Sequence, residues 1–217
     1  ALILELATLG EHGSHPEQDI TPQDSLQQIV DKVTRKNIQC LLDTQKLLLV
    51  DELEACVELL ERSRTVLLFG IGSSLCVAKD TYLKFLRIEK PCVVNEDWHS
   101  QLLQARNATA QDLGIVFSYS GQTVEMIQCM EEMRANGTPV IAVTRYYPSQ
   151  VAQLADHVLY VAANESLFRN GAMSSRLSQL NVMDILYTAY ANRHHEETMR
   201  CLTRTHISKP GDPVEKK

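Results

Sequence analysis

The sequence predicts an α/β fold, a three-layer α/β/α sandwich around a five-stranded parallel sheet. Short apolar runs alternate with longer segments of helical periodicity from residue 65 onward. A helix between successive strands implies parallel pairing, and right-handed crossovers place helices on both faces of the sheet. The commonest order for this succession is 2-1-3-4-5, in which strands one and three are neighbours. The five runs are Thr65–Phe69, Pro91–Val94, Leu113–Phe117, Val140–Thr144 and His157–Val161.

Helical patterns flank this core on both sides. An apolar stripe that starts at Leu26 predicts a first amphipathic helix, and Asp51 with Glu54 resembles a capping box that opens a second. The stripe from Leu177 to Tyr190 predicts a long C-terminal helix that also carries His194 and His195. We expect residues 1–22 to be a linker, residues 23–206 to form one domain, and residues 207–217 to be a flexible tail.

The segment Ser118-Tyr119-Ser120-Gly121-Gln122-Thr123 carries the strongest functional signal. It joins the third apolar run to the next helical pattern. Free amides at the start of a helix favour an anion such as phosphate, and hydroxyls add further donors. The alternative is a simple turn with an N-cap, for which one serine and one glycine would suffice.

A second loop of the same kind, Gly70-Ile71-Gly72-Ser73-Ser74, follows the first apolar run. In the 2-1-3-4-5 order the two loops leave neighbouring strands at the same edge of the sheet. We therefore expect them to converge on one pocket for a small phosphorylated ligand. No carboxylate cluster with magnesium-like spacing lies nearby in the sequence, so the prediction includes no metal and no cofactor.

Composition and charge argue against other functions. The 217 residues carry a formal net charge of −6, and no cationic run is present to grip DNA directly. The six cysteines form no C-x-x-C pair, which predicts reduced thiols and no zinc cluster. The apolar start of the chain is too short to span a bilayer. Nucleotide binding is a weaker alternative, because a dinucleotide fingerprint requires a glycine where Leu75 stands, although Asn95-Glu96-Asp97 resembles its acidic ribose ligand.

Several motifs together resemble a sugar isomerase (SIS) domain, and more narrowly the effector domain of RpiR-type bacterial transcription regulators. The resemblance covers roughly residues 23–205. Two departures stand out, because Glu89 occupies a place where glycine is common and Gln122 one where an acid is common. The motifs are the two hydroxyl-bearing loops, Thr144…Ser149…Ala155-Asp156, Lys84-Phe85-Leu86-Arg87-Ile88, Asp97 and His99, Gly171-Ala172…Ser175-Arg176…Gln179-Leu180, and Met183-Asp184-Ile185-Leu186-Tyr187.

The resemblance implies a flavodoxin-like fold and a set of ligand-binding positions. Serine and threonine side chains would hold the phosphate. Glu165 would accept hydrogen bonds from sugar hydroxyls, and the alternative is that it is a solvated acid in a loop. Arg169 is a further candidate for phosphate contact, whereas we assign Arg176 a structural role. The implied ligand-binding residues are Ser73, Ser74, Ser118, Ser120, Gly121, Thr123 and Glu165.

The resemblance also implies a sensor rather than an enzyme. Regulators of this type carry a helix-turn-helix DNA-binding domain before the SIS domain, so residues 1–22 would be the remnant of that connection. It further implies a cytoplasmic homodimer or higher homo-oligomer that binds a phosphorylated sugar and meets DNA only through the other domain. The alternative is an SIS-type sugar-phosphate isomerase, for which Glu165 and His99 are the base candidates. For His99 and Asp97 a capping or packing role is favoured over catalysis.

Overall fold

A computed structural model describes residues 20–162 and 172–207 of the chain. Three groups of predictions lie outside these residues. They are the linker over residues 1–19, the ligand-binding role of Glu165 with the candidate phosphate contact of Arg169, and the tail from residue 208 onward.

The sheet has five parallel strands in the order β2-β1-β3-β4-β5, which confirms the predicted topology. The first strand begins and ends one residue later than the apolar run suggested. In the central pair, Gly70 of the first strand lies opposite Phe117 of the third. The strands are β1 (Val66–Gly70), β2 (Cys92–Val94), β3 (Leu113–Phe117), β4 (Val140–Arg145) and β5 (His157–Val161).

Eight helices accompany the strands in the described residues, and one lies between each pair of consecutive strands. They are α1 (Leu26–Leu47), α2 (Val50–Arg62), α3 (Ser73–Arg87), α4 (Trp98–Asn107), α5 (Val124–Ala135), α6 (Gln150–Leu154), α7 (Met173–Arg193) and α8 (His195–Arg204). Among them we find none with the length and apolar character needed to cross a bilayer.

Two hydrophobic cores, one on each face of the sheet, give the three layers. Successive strand residues point to opposite faces, so Leu68, Ile115 and Val143 pack against α2, α3 and α7. Phe69 and Val116 pack with α4, α5 and α6 on the other face. The strands are buried on both faces, which explains why they appear in the sequence as continuous apolar runs.

The helix starts show one correction. Helix α1 begins with a capping box, because the Ser25 hydroxyl accepts from the Gln28 amide and the Gln28 side chain accepts from the Ser25 amide. The predicted capping box at Asp51 is wrong. Helix α2 already starts at Val50, and Leu49 is its N-cap with no side-chain cap bond. Asp51 instead lies in the first turn, where a carboxylate favours the helix dipole.

The C-terminal helix is divided into two, where the sequence predicted one. The backbone of His194 (φ −107°, ψ 38°) leaves the helical region and separates α7 from α8. The His194 ring lies 3.2 Å from a Glu61 carboxylate oxygen of α2, and α8 then folds back so that Cys201 is buried. All six cysteines are free thiols.

Candidate functional site

Both hydroxyl-bearing loops leave the carboxyl edge of the sheet from the adjacent strands β1 and β3. Because Gly70 pairs with Phe117, the first loop and the second loop start side by side. Connections from parallel strands that diverge in this way leave a crevice between them, where open α/β sheets bind ligands. The structure therefore brings together the two segments that the sequence singled out.

The first loop turns sharply into α3. Gly72 is the N-cap with φ +60°, a conformation that side chains disfavour, and no described atom lies within 4 Å of where its Cβ would stand. Ser73 and Ser74 are the first two residues of the helix and are half-buried. The Ser74 amide donates to the Ile71 carbonyl over 3.2 Å, and both serines lie at the positive end of the helix dipole, which favours an anion.

The second loop gathers its hydroxyls at the start of α5. The Ser118 and Thr123 hydroxyl oxygens are 3.0 Å apart, and those of Ser120 and Thr123 are 3.5 Å apart. The Gln122 amide donates to the Ser120 hydroxyl over 3.2 Å. Thr123 is the N-cap of α5 but makes no side-chain cap bond, so its hydroxyl stays within this cluster.

Gly121 is the residue at which the second loop packs against Thr144 and Ser149. Its φ is +66°, and an added Cβ would lie 2.3 Å from the Ser149 hydroxyl oxygen and 3.0 Å from that of Thr144. Its amide donates to the Ser118 carbonyl (3.0 Å), and its own carbonyl accepts from the Val151 amide (3.2 Å). Gly121 is thus buried against the start of α6. In this geometry it sets the path of the loop.

A glutamine that the sequence analysis quoted as a motif residue, without giving it a role, connects the two loops. Gln179 of α7 is 1% exposed. Its amide oxygen accepts from the Ser74 hydroxyl at 3.4 Å, and its amide nitrogen lies 3.5 Å from the Val143 carbonyl oxygen. That same carbonyl accepts from the Ser118 amide at 3.2 Å. Ser74 and Ser118 therefore share a short hydrogen-bonded path.

A second buried glutamine, Gln101 of α4, fixes the end of β1. Its side chain accepts from the Gly70 amide (3.1 Å) and donates to the Gly70 carbonyl (3.0 Å) and the Asn95 carbonyl (3.0 Å). An added Cβ on Gly70 would lie 2.9 Å from the Ser74 backbone, so α3 packs tightly on the strand end. A buried polar side chain that caps a strand end has no simple sequence signature, so Gln101 was not predicted from the sequence.

We name Ser73, Ser74, Ser118, Ser120, Gly121 and Thr123 the hydroxyl cradle. All six residues are uncharged. In the described parts of the chain no group of His, Cys, Asp and Glu side chains could hold a metal ion. The cradle can therefore offer hydroxyls, amides and helix N-termini to a ligand, which suits a phosphate ester.

The structure assigns Asp97 to a cap. Its carboxylate accepts from the Ser100 amide at 2.9 Å at the start of α4, and hydrogen bonds from Ser100 lower the pKa of Asp97 below its usual value. His99 is exposed in the first turn of the same helix. This geometry supports the capping role favoured over catalysis, and it gives Asp97 a function other than ribose binding.

Several residues near the site or in the quoted motifs lie on the surface. Trp98 is 40% exposed, and Arg176 and Gln122 are also exposed. Glu89 has φ +61°, a backbone conformation that glycine adopts most readily, so the departure noted at this position falls on a left-handed residue. Its carboxylate pairs with Arg204 at 2.5 Å, a contact that glycine could not make.

Comparison with known proteins identifies the family. A family model described as the SIS domain matches residues 59–189. The chain belongs to the SIS domain family. The match contains both loops of the hydroxyl cradle as well as Gln179, so the crevice described above is part of the SIS domain proper.

Relatives of this SIS domain include bacterial regulators. It is 35% identical over 186 residues to an uncharacterized HTH-type transcriptional regulator of Caldanaerobacter subterraneus, covering 86% of this chain and 66% of the relative. It is 36% identical over 189 residues to the uncharacterized HTH-type transcriptional regulator YbbH of Bacillus subtilis, covering 87% of this chain and 67% of the relative. The chain thus spans about two thirds of the length of these relatives.

Solved structures share the fold. The Vibrio vulnificus NanR protein complexed with ManNAc-6P superposes with a TM-score of 0.77 at 24% identity, covering 94% of this chain and 71% of NanR. The sugar isomerase domain of an RpiR transcription factor from Sphaerobacter thermophilus gives 0.75 at 22% identity, covering 82% and 97%. The phosphoheptose isomerase GmhA from Neisseria gonorrhoeae gives 0.65 at 17% identity, covering 77% and 100%.

Proposed function

We propose that this SIS domain is the sugar-phosphate-sensing effector part of a helix-turn-helix transcriptional regulator of carbohydrate metabolism genes. The observation that carries the proposal is the hydroxyl cradle. Its two loops start side by side at the carboxyl edge of β1 and β3 and are connected through Gln179. The HTH-type regulators among its relatives support the regulatory assignment.

The proposed binding mode follows from the groups that the cradle offers. The phosphate takes hydrogen bonds from the hydroxyls of Ser74, Ser118, Ser120 and Thr123 and from first-turn amides of α3 and α5, with Ser73 adjoining. Gly121 holds the second loop in shape. Glu165, which lies outside the described residues, is proposed to accept hydrogen bonds from sugar hydroxyls.

The regulatory step requires a second domain. We propose that residues 1–22 connect the SIS domain to a DNA-binding module and that the full protein works in the cytoplasm. A sugar phosphate would control DNA binding only if it bound two arrangements of the protein with different affinities. NanR, which was solved with ManNAc-6P, provides the structural parallel.

We propose that the domain forms at least a homodimer. Large apolar side chains on α1 are exposed in the single chain, among them Leu26 (77%), Val30 (52%) and Ile38 (52%). Such patches on a soluble domain mark contacts with other proteins. Sedimentation equilibrium should give a dimer for the wild-type chain and a monomer for Val30→Glu/Ile38→Glu. A wild-type monomer would contradict this proposal.

A sensor should bind its ligand and return it unchanged. Ligand binding at about 100 times the dissociation constant stabilises a fold by roughly 2.7 kcal/mol, so a thermal-shift screen of hexose, pentose and amino-sugar phosphates should show a rise of about 5–10 °C for the effector. The screen includes ManNAc-6P, the ligand in the NanR structure. The matching sugars without phosphate should give no shift, and an equal shift with them would contradict the proposed site.

The effector found in the thermal-shift screen also distinguishes a sensor from an isomerase. Isomerisation requires a base that removes a proton beside the carbonyl carbon. We expect the effector, incubated with the protein in heavy water, to gain no deuterium. Deuterium incorporation that disappears in Glu165→Gln would assign isomerase activity instead.

A further inference from the structure

Arg145 stands next to the hydroxyl cradle without belonging to the predicted site. It is the last residue of β4, and its amide donates to the carbonyl of Tyr119, inside the second loop, over 3.2 Å. Strand alternation places its side chain on the same face as Val143, two residues earlier. That is the face covered by α7, which carries Gln179.

The guanidinium of Arg145 is held in place but not neutralised. Its centre lies 4.8 Å from the centroid of the Tyr147 ring, a cation–π distance. Its Nε is buried and has no hydrogen-bond partner, and in residues 20–162 and 172–207 no carboxylate forms an ion pair with it. Buried donors are almost always satisfied, so a persistent exception calls for a missing partner.

The hydroxyl cradle, in contrast, lacks a full positive charge. A phosphate ester carries close to two negative charges at neutral pH, yet all six cradle residues are uncharged. Hydroxyls and helix N-termini supply partial charges only. Arg145, whose backbone amide bonds to the second loop, carries a full positive charge, and such a charge complements a site that binds an anion.

We propose that Arg145 is a ligand-binding residue whose guanidinium donates to an anionic oxygen of the effector. This inference rests on the proposed function. The oxygen belongs either to the ester phosphate or to a carboxylate carried by the sugar, because a guanidinium binds both groups with similar geometry. Stacking on Tyr147 orients the guanidinium before the ligand arrives.

The test compares Arg145→Gln with a matched control, Arg87→Gln. Both changes remove one positive charge, but Arg87 lies in the last turn of α3, about 20 Å along the helix from Ser73. Dissociation constants are measured by calorimetry for three probes: inorganic phosphate, glucose 6-phosphate and gluconate 6-phosphate. Loss of a hydrogen bond between charged groups should weaken binding about 10- to 100-fold in Arg145→Gln. The control should stay within about twofold.

The three probes show which ligand oxygen accepts the hydrogen bond from Arg145. If Arg145→Gln weakens all three, its partner is phosphate, and if it weakens gluconate 6-phosphate alone, its partner is the carboxylate. Unchanged constants for every probe would overturn the inference, provided that Ser120→Ala/Thr123→Val loses binding. A wild-type chain that binds neither these probes nor any sugar phosphate of the thermal-shift screen would instead overturn the proposed function.

A second measurement separates ligand binding from folding. A guanidinium with an unsatisfied buried donor contributes little to the stability of the free protein, so Arg145→Gln without ligand should unfold at the wild-type temperature or above it. If the unfolding temperature instead fell by more than about 5 °C, the loss of stability would exceed that of a single ordinary contact in a domain of this size. Arg145 would then be a residue that stabilises the fold. The inference would then be wrong.

Discussion

Replacing Ser120 by alanine together with Thr123 by valine should weaken binding of a sugar phosphate at least 100-fold while leaving the fold intact. The two hydroxyls lie within 3.5 Å of each other at the start of α5. Each hydrogen bond to a charged group contributes about 1.5–3 kcal/mol. Neither side chain belongs to a hydrophobic core, so the unfolding temperature without ligand should change by less than about 3 °C. Calorimetric titration with the ligand found in the thermal-shift screen gives the affinity.

The control for this variant removes the same kinds of atom elsewhere. Ser63→Ala combined with Thr203→Val deletes hydroxyls that donate to the carbonyls of Leu60 and Met199, at the amino side of β1 and on α8. This pair should bind the sugar phosphate as the wild type does. Normal binding by the Ser120/Thr123 variant would place the phosphate outside the cradle.

Replacing Gly121 by alanine should be the most damaging single change at the site. Two physical effects add, because a side chain is strained at φ +66° and the new Cβ would overlap Ser149. We expect a loss of about 2–4 kcal/mol in the free energy of unfolding and a displaced second loop. Urea unfolding measures the first effect, and loss of sugar-phosphate binding reports the second.

Gly137 offers a matched control for the backbone part of this effect. Its φ is +71°, close to that of Gly121, but an added Cβ would meet only the Ala110 methyl at 3.9 Å. Gly137→Ala should therefore lose only about 1 kcal/mol. Adding Ser149→Gly to Gly121→Ala should restore part of the stability, because it removes the overlapping atoms. Equal losses at the two glycines would show that the contact with Ser149 is unimportant.

The fold could be predicted from the sequence because its signals are local and repeated. Each strand is a short apolar run, since both faces of the sheet are covered, and each is followed by a helical pattern. The order of strands is the commonest one for this succession of elements, and right-handed crossovers then place the helices on the two faces. The convergence of Ser74 and Ser118 was predictable for the same reason, since topology alone brings the ends of β1 and β3 together.

The features that escaped prediction depend on contacts between distant residues. Gln179 and Gln101 act through backbone groups that lie far away in the sequence, and no periodicity marks such a partner. The break at His194 coincides with its contact to Glu61 rather than with a glycine or proline. The capping box at Asp51 failed because α2 starts one residue before it, and helix boundaries are the least reliable part of a pattern.

The buried amide of Gln179 also restricts the chemistry of an occupant. When an incoming oxygen takes over the Ser74 hydroxyl, the Gln179 carbonyl oxygen loses its donor in a site that is 1% exposed, at a cost of about 1–3 kcal/mol. A polyol can replace that donor with one of its own hydroxyls, whereas a sulfate ion has none to give. In the proposed binding mode, Gln179 would therefore favour an esterified carbohydrate over a sulfate ion.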